Sequence, residues 1–152
     1  MFDVLMFPKL KIHLNLRKTK CCVMSKIDRF EDLRCWQASR KLVNVIYLIA
    51  EEGKLMKDYE TRSQIKRAAL SCMSNIAEGF GKFSNKEFIR YLDIAQSSAL
   101  EVKSILYILL DLKYLLEDKV TKLHQLIDET RSLTLALIKY LRNRETRPNP
   151  NT

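Results

Sequence analysis

The sequence predicts an all-α fold, an up-down-up-down four-helix bundle, on three observations. Punctuation residues are nearly absent from the interior: Pro8, Pro148 and Pro150 lie in the end segments, and only Gly53, Gly79 and Gly81 stand between them. Proline removes a backbone donor and glycine weakens a helix interior by about 1 kcal/mol, so long helices are permitted here, whereas a sandwich or an α/β fold would need far more turn residues. Apolar residues recur at three- and four-residue steps over four long segments, the spacing that lines one helix face. At 152 residues the chain is also long enough for one domain with a sizeable core. Each glycine follows a segment of helical spacing, where a helix C-cap is expected.

Residues 1–27 depart from this pattern. Leu10, Ile12, Leu14 and Leu16 alternate with Lys9, Lys11, His13, Asn15 and Arg17, a period of two that suits a strand, yet no partner strand is available elsewhere. The expectation is a poorly ordered basic extension. Two accounts of it stay open: a translated upstream segment with Met24 as the natural start, or an arm that touches nucleic acid or a partner subunit. The bundle is expected over 28–144, followed by a disordered tail over 145–152.

The first helix is predicted from Phe30 to Glu52, with Asp28 as N-cap, Glu31 three residues on, and a buried face of Leu33, Trp36, Leu42, Val43, Ile46 and Ile49. The second runs from Tyr59 to Phe80 with a stripe of mostly small residues, Ile65, Ala68, Ala69, Cys72, Met73, Ile76 and Ala77, that lets a neighbour approach closely. The third opens on Ser84-Asn85-Lys86-Glu87, where hydroxyl and carboxylate reciprocally satisfy free backbone amides. Behind it Phe88, Leu92, Ala95, Ala99, Val102, Leu106 and Leu109 form a heptad seam, which implies near-parallel packing at about 20°. The fourth helix, Asp118 to Asn143, repeats the device with Val120, Leu123, Ile127, Thr130, Thr134, Leu137 and Leu141. Helix three adds Ile94, Ile105, Ile108 and Leu112, and helix four adds Leu126, Leu133 and Tyr140. A helix apolar on two faces is covered twice, which points to a homo-oligomer.

Chemistry is sparse. Cys21, Cys22, Cys35 and Cys72 contain no C-x-x-C pair and read as free thiols in a reducing compartment. No secretory signal is visible, since Asp3 and a run of only four apolar residues precede Pro8, and Ile105 to Leu110 falls far short of the roughly 20 residues that span a bilayer. A cytoplasmic protein without membrane contact is expected. His124 with Asp128 is half of a metal site at most, and a solvated helix face is the preferred reading. No Gly-rich phosphate loop, Glu-x-x-His pair or activated nucleophile is present, so no catalytic residue, metal, cofactor or small-molecule substrate is expected.

The net charge of +9 invites a polyanion partner, but the charge is uneven: residues 1–29 carry +5, residues 139–152 carry +3, and everything between carries +1. Candidate nucleic-acid contacts are Arg62, Lys66, Lys82, Lys86 and Arg90 on the body, with Lys82, Lys86 and Arg90 expected on one helical face, and Arg142 and Arg144 at the basic C-terminal end. Gln64, Arg67, Ser71, Asn75 and Glu78 share a face of helix two, where Ser98 and Glu101 can meet them. They are either a cross-helix network that sets register, for instance through Arg67 and Glu101, or a polar groove for a ligand or RNA.

The run Gln64-Ile65-Lys66-Arg67-Ala68-Ala69, then Ser71, then Ser74-Asn75-Ile76-Ala77-Glu78-Gly79-Phe80-Gly81, followed by Phe88-Ile89-Arg90-Tyr91-Leu92 and Ile94-Ala95, resembles the four-helix bundle proteins encoded within intervening sequences of bacterial 23S ribosomal RNA genes. Phe30-Glu31-Asp32-Leu33 with Trp36-Gln37-Ala38 is similar to that family's first helix. The resemblance spans Phe30 to Asn143. It departs at Lys54-Leu55-Met56-Lys57, where the family often has Phe-Pro, and at Ser97-Ser98, where it often has Gly-Ser. It implies a bundle assembling into a ring, typically a pentamer, without catalytic activity and associated with RNA or DNA. The alternative function is a protein interaction scaffold that docks a partner on the second apolar face.

Overall fold

The computed structural model describes residues 27–145, which form four helices: α1 (Arg34–Ala50), α2 (Tyr59–Phe80), α3 (Asn85–Asp111) and α4 (Glu117–Glu145). Single 3-10 turns, Phe30–Asp32 and Leu55–Lys57, precede α1 and α2. No strand occurs among the described residues. Helices consecutive in the chain pack on each other and α1 also packs on α4, which closes the up-down-up-down bundle. The readings of residues 1–26 as a basic extension and of the last residues as a disordered tail lie outside the described residues, although Glu145 itself belongs to α4.

Two of the helix starts follow directly from side-chain chemistry. Asp58 caps α2 by accepting from the Thr61 amide at 3.1 Å, and the Ser84 hydroxyl caps α3 by accepting from the Glu87 amide at 3.2 Å. Each removes one of the donors that a helix N-terminus otherwise leaves unsatisfied. The start of α1 differs from expectation. Leu33, with extended backbone (φ −68, ψ 119), occupies the N-cap without a side-chain cap, so the Asp28–Glu31 box does not open this helix. That backbone turns Leu33 into the core and sets Phe30 edge-on to Trp36 at 5.1 Å. The Gln37 side chain donates through Nε2 to the Glu31 carbonyl at 2.9 Å and ties the turn to the helix.

The glycines divide by role. Gly53 has φ +55, the left-handed geometry expected just past a helix end. Gly79 is instead inside α2 and buried, where a Cβ would stand 2.7 Å from the Phe88 ring and 2.8 Å from Tyr91 Cβ, so it is a close-approach residue between α2 and α3. Gly81 is the C-cap of α2 in right-handed geometry (φ −75). The end of α3 uses Lys113 at φ +54, with the Tyr114 amide donating to the Leu109 carbonyl at 2.8 Å and the Lys113 amide to Leu110 at 2.9 Å. This is a Schellman closure made without glycine.

The heptad reading of α3 holds in full: Phe88, Leu92, Ala95, Ala99, Val102, Leu106 and Leu109 are all buried. On α4, Val120, Leu123, Ile127, Thr130, Thr134 and Leu141 are buried, and Leu137 is half-buried beside a buried Ile138. The two threonines fit an apolar seam because their hydroxyls donate to carbonyls one turn back, Thr130 to Leu126 and Thr134 to Thr130, each at 2.8 Å. Leu126 and Leu133, expected on a second face, are partly buried against the bundle's own core, while Ile94, Ile108 and Leu112 stay well exposed.

Cys35 on α1 and Cys72 on α2 are free, buried thiols. Burial pushes Cys35 up to about 11 and Cys72 up to about 12. A thiol whose folded value exceeds the unfolded one, roughly 8.5, stabilises the fold only while it stays protonated. Stability is therefore expected to be insensitive to these groups below about pH 8 and to fall between about pH 9 and 12, by up to about 1.4 kcal/mol per pH unit per thiol. Urea midpoints measured across that range, for the protein and for Cys35→Ala/Cys72→Ala, check this. The alkaline loss should shrink in the double variant, and an identical loss would refute the assignment.

Candidate nucleic-acid interface

The polar residues of α2 meet those of α3 and bind one another. Gln64 donates to the Glu101 carboxylate and accepts from Arg67, so Gln64 bridges the pair expected to meet directly. One to two turns on, the Ser71 and Ser98 hydroxyls lie 2.9 Å apart across the interface. Asn75 donates to the Ser71 carbonyl at 2.8 Å and to its hydroxyl at 3.2 Å. Glu78 is exposed and acts as a distant negative charge on Lys82. With small residues on both sides (Ala68, Cys72, Ala95, Ala99), this row sets the register of two closely approaching helices. A shallow groove of about 540 Å³ opens at its Gln64 end, between Tyr59, Arg67, Ile105 and Ile108.

Further cross-helix links escaped the sequence reading. Gln96, buried beside α4, donates to the Arg131 carbonyl at 2.7 Å and accepts from Arg131 Nε at 3.0 Å; Lys103 holds both oxygens of Asp128 at 2.8 and 2.9 Å. Asp128, which lies one turn from His124 in the sequence, is thereby paired with Lys103. That histidine is half-buried rather than solvated, with its ring 4.7 Å from Tyr107 and its Nε2 enclosed without a hydrogen-bond partner. Among the described residues no group of three or more His, Cys, Asp or Glu side chains could hold a metal ion, and no helix is long and apolar enough to cross a membrane.

The seven basic candidates fall into distinct environments. Lys66 is paired with Glu51 and lies over the Tyr47 ring at 4.8 Å. Arg62 lies 3.7 Å from the same carboxylate, donates to the Met56 carbonyl at 3.0 Å, and stacks on Tyr59 at 5.6 Å. Both cations are spent joining α2 to α1, and their charge holds the Glu51 carboxyl below its usual range. Arg142 is 4.0 Å from Asp93. Lys82, Lys86, Arg90 and Arg144 make no ion pair among the described residues.

Those four gather at one end of the bundle, where α2 ends, α3 begins and α4 ends. A cleft of about 470 Å³ opens there, lined by Lys82, Asn85, Tyr140 and Arg144 over an apolar floor that includes Phe80, Phe88 and Leu141. Lys82 belongs to the α2–α3 turn, not to the face of α3 that carries Lys86 and Arg90 one turn apart. The Tyr91 ring lies 4.8 Å from Lys82 Nζ, and interaction with Tyr91 raises the lysine's pKa above its ordinary value. Arg144 lies over Tyr140 at 5.8 Å. Ile27 also lines this cleft, so the described chain both enters and leaves at this end. Beyond it the sequence adds six Lys/Arg against one Asp in residues 1–26, and Arg147 at the other terminus.

A model of the 23S rRNA-intervening sequence protein family matches residues 31–136. The chain belongs to that family. As a 23S rRNA-intervening sequence protein it has a solved structural relative, a protein of unknown function from the S23 ribosomal protein family of Bacteroides thetaiotaomicron. The two superpose with a TM-score of 0.63 at 24% identity, over 69% of this chain and 98% of that one. This likeness shows the shared fold. Comparison with curated proteins finds no match. The matched region of this 23S rRNA-intervening sequence protein contains Lys82, Lys86 and Arg90, and Arg142 and Arg144 lie beyond it.

Proposed function

We propose that this protein is a non-catalytic, cytoplasmic, self-associating bundle that binds RNA or other nucleic acid through the end where α2, α3 and α4 meet. The observation that carries this reading is the gathering of Lys82, Lys86, Arg90 and Arg144, without ion pairs among the described residues, at the end from which both basic termini extend. Charge of one sign displayed without a paired carboxylate attracts a polyanion by releasing its condensed counterions. Family membership is consistent with it. The row from Gln64 to Asn75 is left out of the proposed interface, because its donors and acceptors satisfy one another and fix helix register.

Self-association, as a pentameric ring by the family resemblance, rests on Ile94, Ile108 and Leu112, which follow heptad steps along α3 and leave much of their apolar surface in water. A scaffold that docks another protein on the same face is the competing reading. Size-exclusion chromatography with light scattering, with and without single-stranded RNA and after nuclease treatment, separates them.

If the four cations each neutralise one phosphate, log K for single-stranded RNA should fall by about 3 per unit of log salt, roughly 50-fold between 50 and 200 mM, and more if the termini contribute. Fluorescence anisotropy over a salt series reads the slope. Binding that is absent at low ionic strength, or indifferent to salt, would exclude the reading.

A further inference from the structure

Phe83 stands fully in water, at 107% of the reference exposure for its side chain, in the middle of the α2–α3 turn. Lone exposed apolar residues are common on protein surfaces. The setting of this one is unusual in two respects. The turn that presents it is short and held at both ends: the Lys82 amide donates to the Gly79 carbonyl at 3.1 Å, and Ser84 caps α3. Its ring is also flanked in sequence by Lys82 and Lys86, and Arg90 follows one turn later, all without ion pairs among the described residues. The two carboxylates whose charge reaches Lys82 are Glu87 and Glu78, which leaves cations in excess around the turn.

We propose that the α2–α3 turn is a single-stranded nucleic-acid site, in which an unpaired base stacks on Phe83 while Lys82, Lys86 and Arg90 hold the flanking phosphates. This deepens the function proposed above and rests on it. Aromatic rings with cations spaced beside them are the elementary unit of sequence-tolerant single-strand binding, since every base offers a π-face and every linkage a phosphate. The cleft beside the turn, with Lys82 and Arg144 on its rim and Phe80, Phe88 and Tyr140 among its lining, gives the strand a path from the turn toward the end of α4. Nothing in this arrangement addresses the sugar, so RNA and DNA single strands are both accepted. A duplex is not, because its bases are already stacked and paired.

The test uses a fluorescein-labelled mixed-sequence strand of about 12 nucleotides, as RNA, as DNA and as a duplex, with the full-length protein. Phe83→Ala should weaken single-strand binding by about 10-fold or more without changing the salt slope. Lys86→Ala/Arg90→Ala should instead lower the slope by about 1.4. Phe83→Trp should retain binding and show fluorescence quenching on titration, against a background of only Trp36. Because Phe83 touches no core residue, thermal melts of the variants should match the parent. Single-strand affinity unchanged in Phe83→Ala, or duplex bound as tightly as single strand, overturns the site while leaving the broader reading standing. Failure of the parent protein to bind any strand overturns both. Loss of oligomer mass in Phe83→Ala with RNA affinity intact would make Phe83 a subunit contact and also overturn the site.

Discussion

Replacing Leu106 by alanine is expected to destabilise the protein by about 2–5 kcal/mol, the range for deleting a buried leucine side chain where the surroundings cannot close around the void. Leu106 is wholly buried, in the α3 seam between Val102 and Leu109, with α2 and α4 packed on either side of the helix. Rigid helices relax poorly into a gap, which places this site toward the upper part of the range. Against a total stability of about 5–15 kcal/mol the loss is large enough to be seen as a shifted urea midpoint with little change in slope. Leu112, the C-cap of the same helix, is about half exposed at 48% and provides the contrast: Leu112→Ala should cost less than about 1 kcal/mol in the isolated subunit. A Leu106→Ala cost below about 1 kcal/mol would mean that the seam is not the core. A Leu112→Ala cost that grows with protein concentration would show that this face is covered by another copy.

Gly79→Ala is expected to destabilise by about 1–3 kcal/mol, although alanine in a helix interior is ordinarily favoured over glycine by about 1 kcal/mol. The new methyl would lie 2.7 Å from the Phe88 ring and 2.8 Å from Tyr91 Cβ. The ring can turn aside, but Tyr91 Cβ is fixed to the backbone of α3, so the two helices must separate at this contact. That separation also stretches the edge-on contact of Phe80 with Phe88, 6.2 Å between centroids, which closes the α2–α3 turn. Thermal melts decide between the two effects: a rise in melting temperature would show that helix propensity outweighs the contact. Gly53→Ala meets no neighbouring atom but forces alanine into φ +55, so its cost would come from backbone strain alone.

The stripes, the cap at Ser84 and the heptad seam of α3 were legible because they depend on residues three to four apart, where helix geometry alone dictates which side chains meet. The start of α1 was misread because Leu33 and Phe30 gain more by turning into the core and onto Trp36 than Asp28 gains by capping. Gly79 was misread for the same kind of reason: the contact that requires glycine comes from α3, beyond the reach of any local pattern. Of the candidate interface, residue types were visible but pairings were not. Arg62 and Lys66 look as available as Lys86 and Arg90 in the sequence, and only the fold brings Glu51 to the first two. Phe83 carried one overlooked signal, an aromatic residue outside every helical stripe.

By itself, then, the sequence determined four helices, their buried faces and an excess of positive charge placed at the two ends of the chain, since these follow from composition and short-range periodicity. Four antiparallel helices bring both ends of the described chain and the α2–α3 turn to one end of the bundle, and only the tertiary structure decided which cations keep no ion pair there. The physical reason is that an even number of antiparallel helices returns the chain to the end where it began. Whether a charge is free or neutralised then depends on which side chains that path brings within a few ångströms.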